Sequence, residues 1–472
     1  MIGMEPLSAR TVTDAVVSPV ARHREPGDEH DRLLMGVFDG ADDYVPGTVT
    51  DRRSGERGEP APAELRAGDE PGPHPEAIYA GKLHMHFGHF LLESLARLWF
   101  ARDRPHVAVV WTAEHTWEDE SFRPWQREIL DILGIRNPIL FVTRPTRFAT
   151  LHVPDIGYRY DDWIHPDHAR FLAQHAGPSV EPGRRLWLSR SAIHSDNRDL
   201  GAEAAERHLR AAGWFVAHPE QLTVREQLDQ LSRAETIAGE EGSAFHAVLL
   251  LADISGRRLE VIRRRGAEHR NFRTIGEARG IEQRFHSLAG ERILHAEGRE
   301  VTKLSRSAVA LLDALEVPRA LPVAPRPGDR AAALVYREAK AQRVLEVGVR
   351  TAFAPATADV RTALIVSTRL EEDPRAYPAL AGRIEELPLT RYVELFVEEP
   401  GTYEFIRVAG DGEDALLADV DETLRFAGAD TTWVLCDDEA GAAAADALVL
   451  QRGFSATRVE RGGEAALLLR RA

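Results

Sequence analysis

The 472-residue chain has one cysteine, Cys436, so no intrachain disulfide can form and a reducing compartment is expected. It lacks long apolar runs. Every one falls far short of the roughly 18 residues that span a bilayer. The start, Met1-Ile2-Gly3-Met4-Glu5-Pro6, has no basic segment followed by an apolar core, so no signal peptide is expected. A cationic excess is missing too. The formal net charge is −16, which argues against broad binding to nucleic acid or anionic membrane. What remains is a cytoplasmic protein, or one held at the inner membrane as a peripheral partner of membrane-associated machinery. With 43% hydrophobic and 28% charged residues, the chain has an ordinary globular composition. Its length predicts two or three domains.

The most informative stretch, residues 184–265, centres on the turn Gly239-Glu240-Glu241-Gly242-Ser243-Ala244. A buried strand is predicted over 234–238 and an apolar helix over 245–252. A Gly-rich turn between strand and helix leaves backbone N–H groups at the positive end of the helix dipole, which suits a phosphate. Glycine at 239 and 242 would also let a ligand approach the backbone. Many such turns only reverse the chain, so the neighbours matter. Upstream come a strand (185–189), a helix (201–212) ended by Gly213, a strand (214–217) and a helix (223–233). This last opens with the capping box Thr223-Val224-Arg225-Glu226. A strand over 258–262 comes after the turn. Strands alternating with helices predict a parallel, doubly wound sheet, whose ligands sit at the carboxyl ends of the strands. Ser189, Arg190 and the 239–243 turn all occupy such ends.

A second stretch reads Leu83-His84-Met85-His86-Phe87-Gly88-His89-Phe90-Leu91-Leu92-Glu93. From Phe87 the apolar residues recur at helical spacing, which places His89, Glu93 and Arg97 together on the opposite face. A histidine and a carboxylate at a helix start can perform acid–base work. Equally, Glu93 can pair with Arg97 while His89 caps the helix. His84, His86 and His89 suggest a metal, but no His, Asp or Glu pattern elsewhere completes a ligand set, so no metal is expected.

In the rest of the chain, residues 1–30 read as irregular, 33–38 as a strand, and 46–75 as loop and hairpin. Strands are predicted over 76–81, 107–111, 138–142 and 150–153, and a helix over 122–133. In the loop Tyr158-Arg159-Tyr160-Asp161-Asp162-Trp163, the residues Asp161, Asp162 and Trp163 either line a sugar site or lie on the surface. A helix over 301–315 and a Pro-rich linker over 318–328 precede a final α/β unit, with strands at 343–348, 362–367, 403–408, 432–436 and 464–469 and a helix at 414–426. The expected segments are thus 1–75, an α/β domain over 76–180, a second over 181–295, a helix and linker over 296–330, and a last α/β domain over 331–472.

Taken together, Gly88-His89-Phe90-Leu91-Leu92-Glu93, Leu186-Trp187-Leu188-Ser189-Arg190 with Arg198, Leu222-Thr223-Val224-Arg225-Glu226-Gln227, and the run from Gly239 to His246 resemble glycosyltransferase family 61, the DUF563 group of capsular polysaccharide biosynthesis. The resemblance covers roughly residues 75–290. It implies a GT-B fold, with two facing Rossmann-like domains, and a metal-independent, inverting transfer from a nucleotide sugar, a UDP-sugar first among them, to a glycan acceptor. No further cofactor is implied. By the same resemblance Ser189, Arg190, Gly242 and Ser243 hold the donor phosphates, with Arg198 in support. Physically, an Arg fork and N–H groups at a helix start stabilise a diphosphate leaving group. Glu241 replaces a residue that is often His in relatives, and is read as a ligand for a ribose hydroxyl. His246 replaces a frequent Asn on the donor side. His89 and Glu93 match the N-domain signature and are the candidates for acceptor activation, either of them as the base.

The last domain resembles the class I S-adenosylmethionine-dependent methyltransferase fold, on Arg343-Val344-Leu345-Glu346-Val347-Gly348. After Gly348 come Val349, Arg350, Thr351 and Ala352 where further glycines are expected, so a degenerate domain kept for packing is anticipated. Two alternatives are a catalytically silent scaffold in polysaccharide assembly and a bifunctional transferase that also methylates its glycan. Homo-oligomerisation is left open.

Overall fold

The computed structural model describes residues 5–23, 32–53, 57–67, 69–113, 121–193, 202–263, 270–287, 291–294, 300–303, 309–318, 329–339, 343–348, 362–366, 384–385, 403–409, 413–436, 438–461 and 463–472. It divides into two compact units. One comprises Met1–Leu188, Ala217–Arg263 and Ala267–Phe285; the other Ser189–Val216, Arg264–Gly266 and His286–Ala472.

The first unit holds an eight-stranded sheet. Its strands run in the order Arg57–Pro60, Arg32–Phe38, Ala9–His23, Thr146–Pro154, Glu76–Lys82, Ala108–Thr112, Ile139–Val142, with Glu70–Pro71 beside Thr146–Pro154. The last four of that order are mutually parallel. Both faces of this half are covered. Ile78, Ala80, Val109 and Trp111 are buried on one side, and Ala77, Tyr79, Ala108 and Val110 on the other. Covering both faces is why these strands read as apolar runs rather than alternations.

Ala9–His23 corrects the irregular reading of the N-terminal residues. It is one long strand, antiparallel to both neighbours. Its polar, proline-bearing sequence hid it. Pro19 falls where the register shifts between Ser18 and Ala21, a bulge that tolerates the missing N–H. Asp14 adopts a positive φ of 52°. The run from Ala15 to Val20 is nevertheless buried throughout.

A second sheet of this unit is built on Glu181–Leu188, Ala234–Glu240 and Arg258–Ile262, all parallel. The helix Val224–Arg233 runs straight into its central strand, opened by Thr223 and Glu226 in the expected reciprocal cap. The strand continues two residues past its predicted end. Gly239 therefore lies within it rather than in a turn: a Cβ there would stand 2.9 Å from the Leu188 carbonyl oxygen. Its smallness serves strand packing. Beyond it Ser243–Leu250 is a 3₁₀ helix, not an α-helix.

The second unit carries a seven-stranded sheet ordered Ile384–Glu385, Thr362–Val366, Arg343–Gly348, Tyr403–Ala409, Ala427–Cys436, Glu464–Arg471, Phe454–Arg461. The first five are parallel; the closing hairpin is antiparallel. Glu439–Arg452 packs on it as a helix capped by Asp438 and closed by left-handed Gly453. The predicted helix over 301–315 is replaced by a strand, Glu300–Lys303, paired with Glu291–Leu294, and a short helix, Val309–Ala314. The charged, β-branched start of that stretch suits the hairpin better. The expected linker lies mostly outside the described residues. On adjacent central strands Glu346 and Arg407 face each other, both buried, at 3.7 Å.

Candidate active site

Downstream of the strand Glu76–Lys82, the chain makes one α turn, Phe87–His89, then a π turn, Phe90–Ser94, then a 3₁₀ turn, Leu98–Phe100. Phe90, Leu91 and Leu95 sink into the core, as their spacing predicts, and Leu92 joins them. The wider π turn rotates the residues after it about the helix axis, and such turns recur at functional sites. Arg97 is carried away from Glu93. It is buried, donates to the carbonyls of Pro154 and Gly47, and lies over the Tyr79 ring. The expected Glu93–Arg97 pair does not form.

Arg52 takes its place. Its Nε and Nη2 donate to the two Glu93 oxygens at 2.6 and 2.8 Å, a bidentate fork with both side chains largely out of solvent. His89 Nδ1 lies 2.6 Å from Glu93 Oε2. Because an ionised carboxylate only accepts, Nδ1 donates to it, and in the neutral ring the lone pair is then on Nε2. The His89 side chain is 32% exposed. Tyr160 stacks on it at 5.6 Å, the Arg52 guanidinium lies over Tyr160, and His84 stacks on the imidazole at 5.4 Å. A recess open to solvent reaches Glu93 and His84 between Asp51, Lys82, Tyr158 and Tyr160.

Electrostatics fix the protonation states. Burial raises the Glu93 carboxyl, but the His89 hydrogen bond, the His84 ring and the Arg52 guanidinium outweigh it and hold it at about 2. Burial pushes His84 down to about 3 despite Glu93. At neutral pH His84 is uncharged, so His89 and Arg52 are what hold Glu93 ionised. Tyr158, raised by burial, donates to Asn271 Oδ1 at 2.8 Å. The same oxygen accepts from the Asp161 N–H.

The central turn meets this signature directly. A Cβ on Gly88 would stand 2.8 Å from His246 Nδ1 and 2.9 Å from Ser243 Cβ. Glycine at 88 is thus what allows the His89 turn to seat against Ser243 and His246. Gly242 caps the 3₁₀ helix in an extended conformation, and Glu241, buried, continues the ladder with its N–H on the Ile262 carbonyl.

With these contacts in place, the likeness to known proteins becomes specific. Residues 87–256 match the glycosyltransferase 61 family model. The matched segment opens on Phe87, the first residue of the turn that carries His89, and runs past the helix that seats on Gly88. It supports glycosyl transfer as the general activity. No curated protein matches the sequence. Among solved structures, an O-methyltransferase from Bacillus cereus in complex with SAH is 15% identical over 35% of this chain and 88% of that one, with a TM-score of 0.26. Cofactor-bound Rv0187 from MTB is 19% identical over 34% and 86%, at 0.25. A putative O-methyltransferase from Klebsiella pneumoniae is 16% identical over 32% and 84%, at 0.26.

Of the residues singled out in the sequence, His89 and Glu93 are joined, and Ser243 and His246 border the same turn through Gly88. In the other unit Ser189 is buried and its hydroxyl donates to Glu206, while accepting from the Ser191 N–H at 3.0 Å. Arg190 is half-buried beside it. Arg198 lies outside the described residues. Asp162 pairs with Arg159 at 3.0 Å. Sequence reasoning missed Arg52, set in a stretch of Gly, Pro and charge that reads as loop, and it passed over Tyr160 in favour of its acidic neighbours. The one signal for Tyr160 was its place in an aromatic run. Arg52 had none.

Proposed function

We propose that the chain is an inverting glycosyltransferase in which His89 is the base that activates the acceptor hydroxyl. The observation that carries this is the Glu93–His89 pair inside the matched residues, with Arg52 joined to Glu93 from outside them. Glu93, held at about 2 and engaged by two partners, is too weak a base. Its task is to orient His89 and favour the imidazolium that forms. His89 Nε2 accepts the acceptor O–H proton, the oxygen bonds to the anomeric carbon, and the bond to the nucleoside diphosphate breaks with its electron pair leaving on phosphate. One such displacement inverts the anomeric centre.

The transfer needs no metal in this reading, since the Arg190 guanidinium and the N–H groups at the Gly242–Ser243 turn are assigned to the diphosphate charge that a metal would otherwise offset. A GT-B pair of domains, a UDP-sugar donor, a glycan acceptor and a role in capsular or exopolysaccharide synthesis at the cytoplasmic face complete the proposal. On the donor side, Gly242, Ser243, His246 and Glu241 are assigned by position, and Arg190 as a phosphate ligand. Calorimetric titration with UDP, GDP and CMP, with and without EDTA, tests this side. Binding of one nucleotide that EDTA leaves unchanged and Arg190→Ala removes is the expected result. Absence of binding by all three would return the chain to a silent scaffold.

A further inference from the structure

The trio brought together at Glu93 differs from the three histidines that cluster in the sequence. His84, His89 and Glu93 present three ligand atoms within 4.8 Å of one another. His84 Nε2 is 4.0 Å and His89 Nδ1 2.6 Å from Glu93 Oε2. We infer that these three residues form an inhibitory site for a borderline-soft divalent cation such as zinc, bound through those atoms.

Two imidazoles and one carboxylate, with an open fourth position, are a donor set that suits zinc. Tetrahedral zinc separates its donors by about 3.4 Å, given metal–ligand bonds of about 2.1 Å. The short contact must open and the longer one close, each by less than about 1 Å, which side-chain rotation provides. His84 is already placed for this. Its backbone N–H donates to Ser94 Oγ at 2.9 Å, its carbonyl accepts from Gln126 at 3.1 Å, and its ring lies nearly parallel to that of His89. The recess beside Glu93 and His84 supplies an entry path and water for the fourth position. Arg52 opposes the ion, because zinc on Oε2 displaces its Nη2 while Nε keeps Oε1. The site is therefore weaker than a structural zinc site, and its occupancy reversible.

Occupancy has a chemical consequence. A neutral imidazole carries one ring proton. Zinc on Nδ1 leaves that proton on Nε2, which then donates and can no longer take the acceptor's proton. This consequence rests on the reading of His89 as base; the binding itself does not.

The test is competition for zinc between the full-length protein and a chromogenic chelator, with the visible spectrum after cobalt(II) substitution. Wild type is expected to bind one equivalent that His84→Gln and Glu93→Gln weaken tenfold or more, with loss of the tetrahedral cobalt bands. Arg52→Met is expected to bind more tightly. Circular dichroism checks each variant, and if His84→Gln does not fold, Glu93→Gln carries the comparison. Unchanged zinc affinity and cobalt spectrum in the folded variants would overturn the site. Sugar transfer by wild type should fall on zinc addition and return with EDTA. Zinc bound at these residues without loss of transfer would overturn the inhibitory role and the base assignment, leaving the metal site standing.

Discussion

Among the described residues, Arg52–Glu93 in one unit and Glu346–Arg407 in the other are ion pairs held out of solvent, and their settings differ. Glu346 and Arg407 stand on neighbouring parallel strands, both 1% exposed, in the middle of a seven-stranded sheet. Arg52 and Glu93 come from a loop and a π turn at the edge of a recess, and a third group, His89, shares the carboxylate. A buried charge is no sign of chemistry by itself. What decides is whether one of its partners keeps an unused, reachable atom. His89 Nε2 is such an atom. The sheet pair is closed off from solvent on both sides.

Substitutions in the two pairs should therefore have opposite consequences. The largest effect belongs to His89→Asn, which should lower sugar transfer by roughly 10²–10⁴-fold while leaving the melting midpoint in place. Glu93→Gln should lower transfer less and also lower stability, since Arg52 then loses its counter-charge. Transfer is read by nucleotide release over a donor panel. Equal transfer in His89→Asn and wild type would remove the base from the mechanism.

The sheet pair should show the reverse profile. Arg407→Met alone leaves Glu346 buried without its counter-charge and should cost about 3–5 kcal/mol in denaturant unfolding, with transfer by the folded protein unchanged. Joined with Glu346→Leu it should recover most of that loss, because an apolar pair of similar volume packs without desolvating charge. A double variant as weak as the single one would show that Glu346 or Arg407 serves more than packing.

The smallest effect is graded with pH. His84 and His168 are both held at about 3, chiefly by burial; the neighbouring His165 opposes charge on His168, while Glu93 favours it on His84. Their folded values lie below the unfolded 6.5, so the unfolded chain binds more protons between these limits. Stability should be flat above pH 6.5 and fall as pH drops toward 3, by on the order of 1 kcal/mol per unit for each histidine. Glu93 adds a loss below its unfolded value of 4.5, complete only near 2. Urea unfolding at a series of pH values measures the slope, and His168→Gln should reduce it. An unchanged slope would mean His168 is not buried uncharged.

Much of this was legible in the sequence. The capping box at Thr223, the two strands that lead to Leu188 and Ala238, and the apolar spacing of Phe90, Leu91 and Leu95 all obey local rules of hydrogen bonding and periodicity. So does the i, i+4 meeting of His89 and Glu93. Local rules also misled. They placed Arg97 beside Glu93, because they assume an unbroken α-helix, and they made residues 1–30 irregular, because a bulge that accommodates Pro19 leaves no trace in periodicity.

What the sequence alone determined, then, is a set of candidates: a histidine four before a glutamate, and Gly242 followed by Ser243 and His246. The partner of that glutamate was decided only by the tertiary structure. Arg52 precedes Glu93 by 41 residues, and Gly88 meets His246 from a distant part of the chain. Contacts of that reach depend on how sheets and turns pack in three dimensions, and no short-range pattern of residues encodes them.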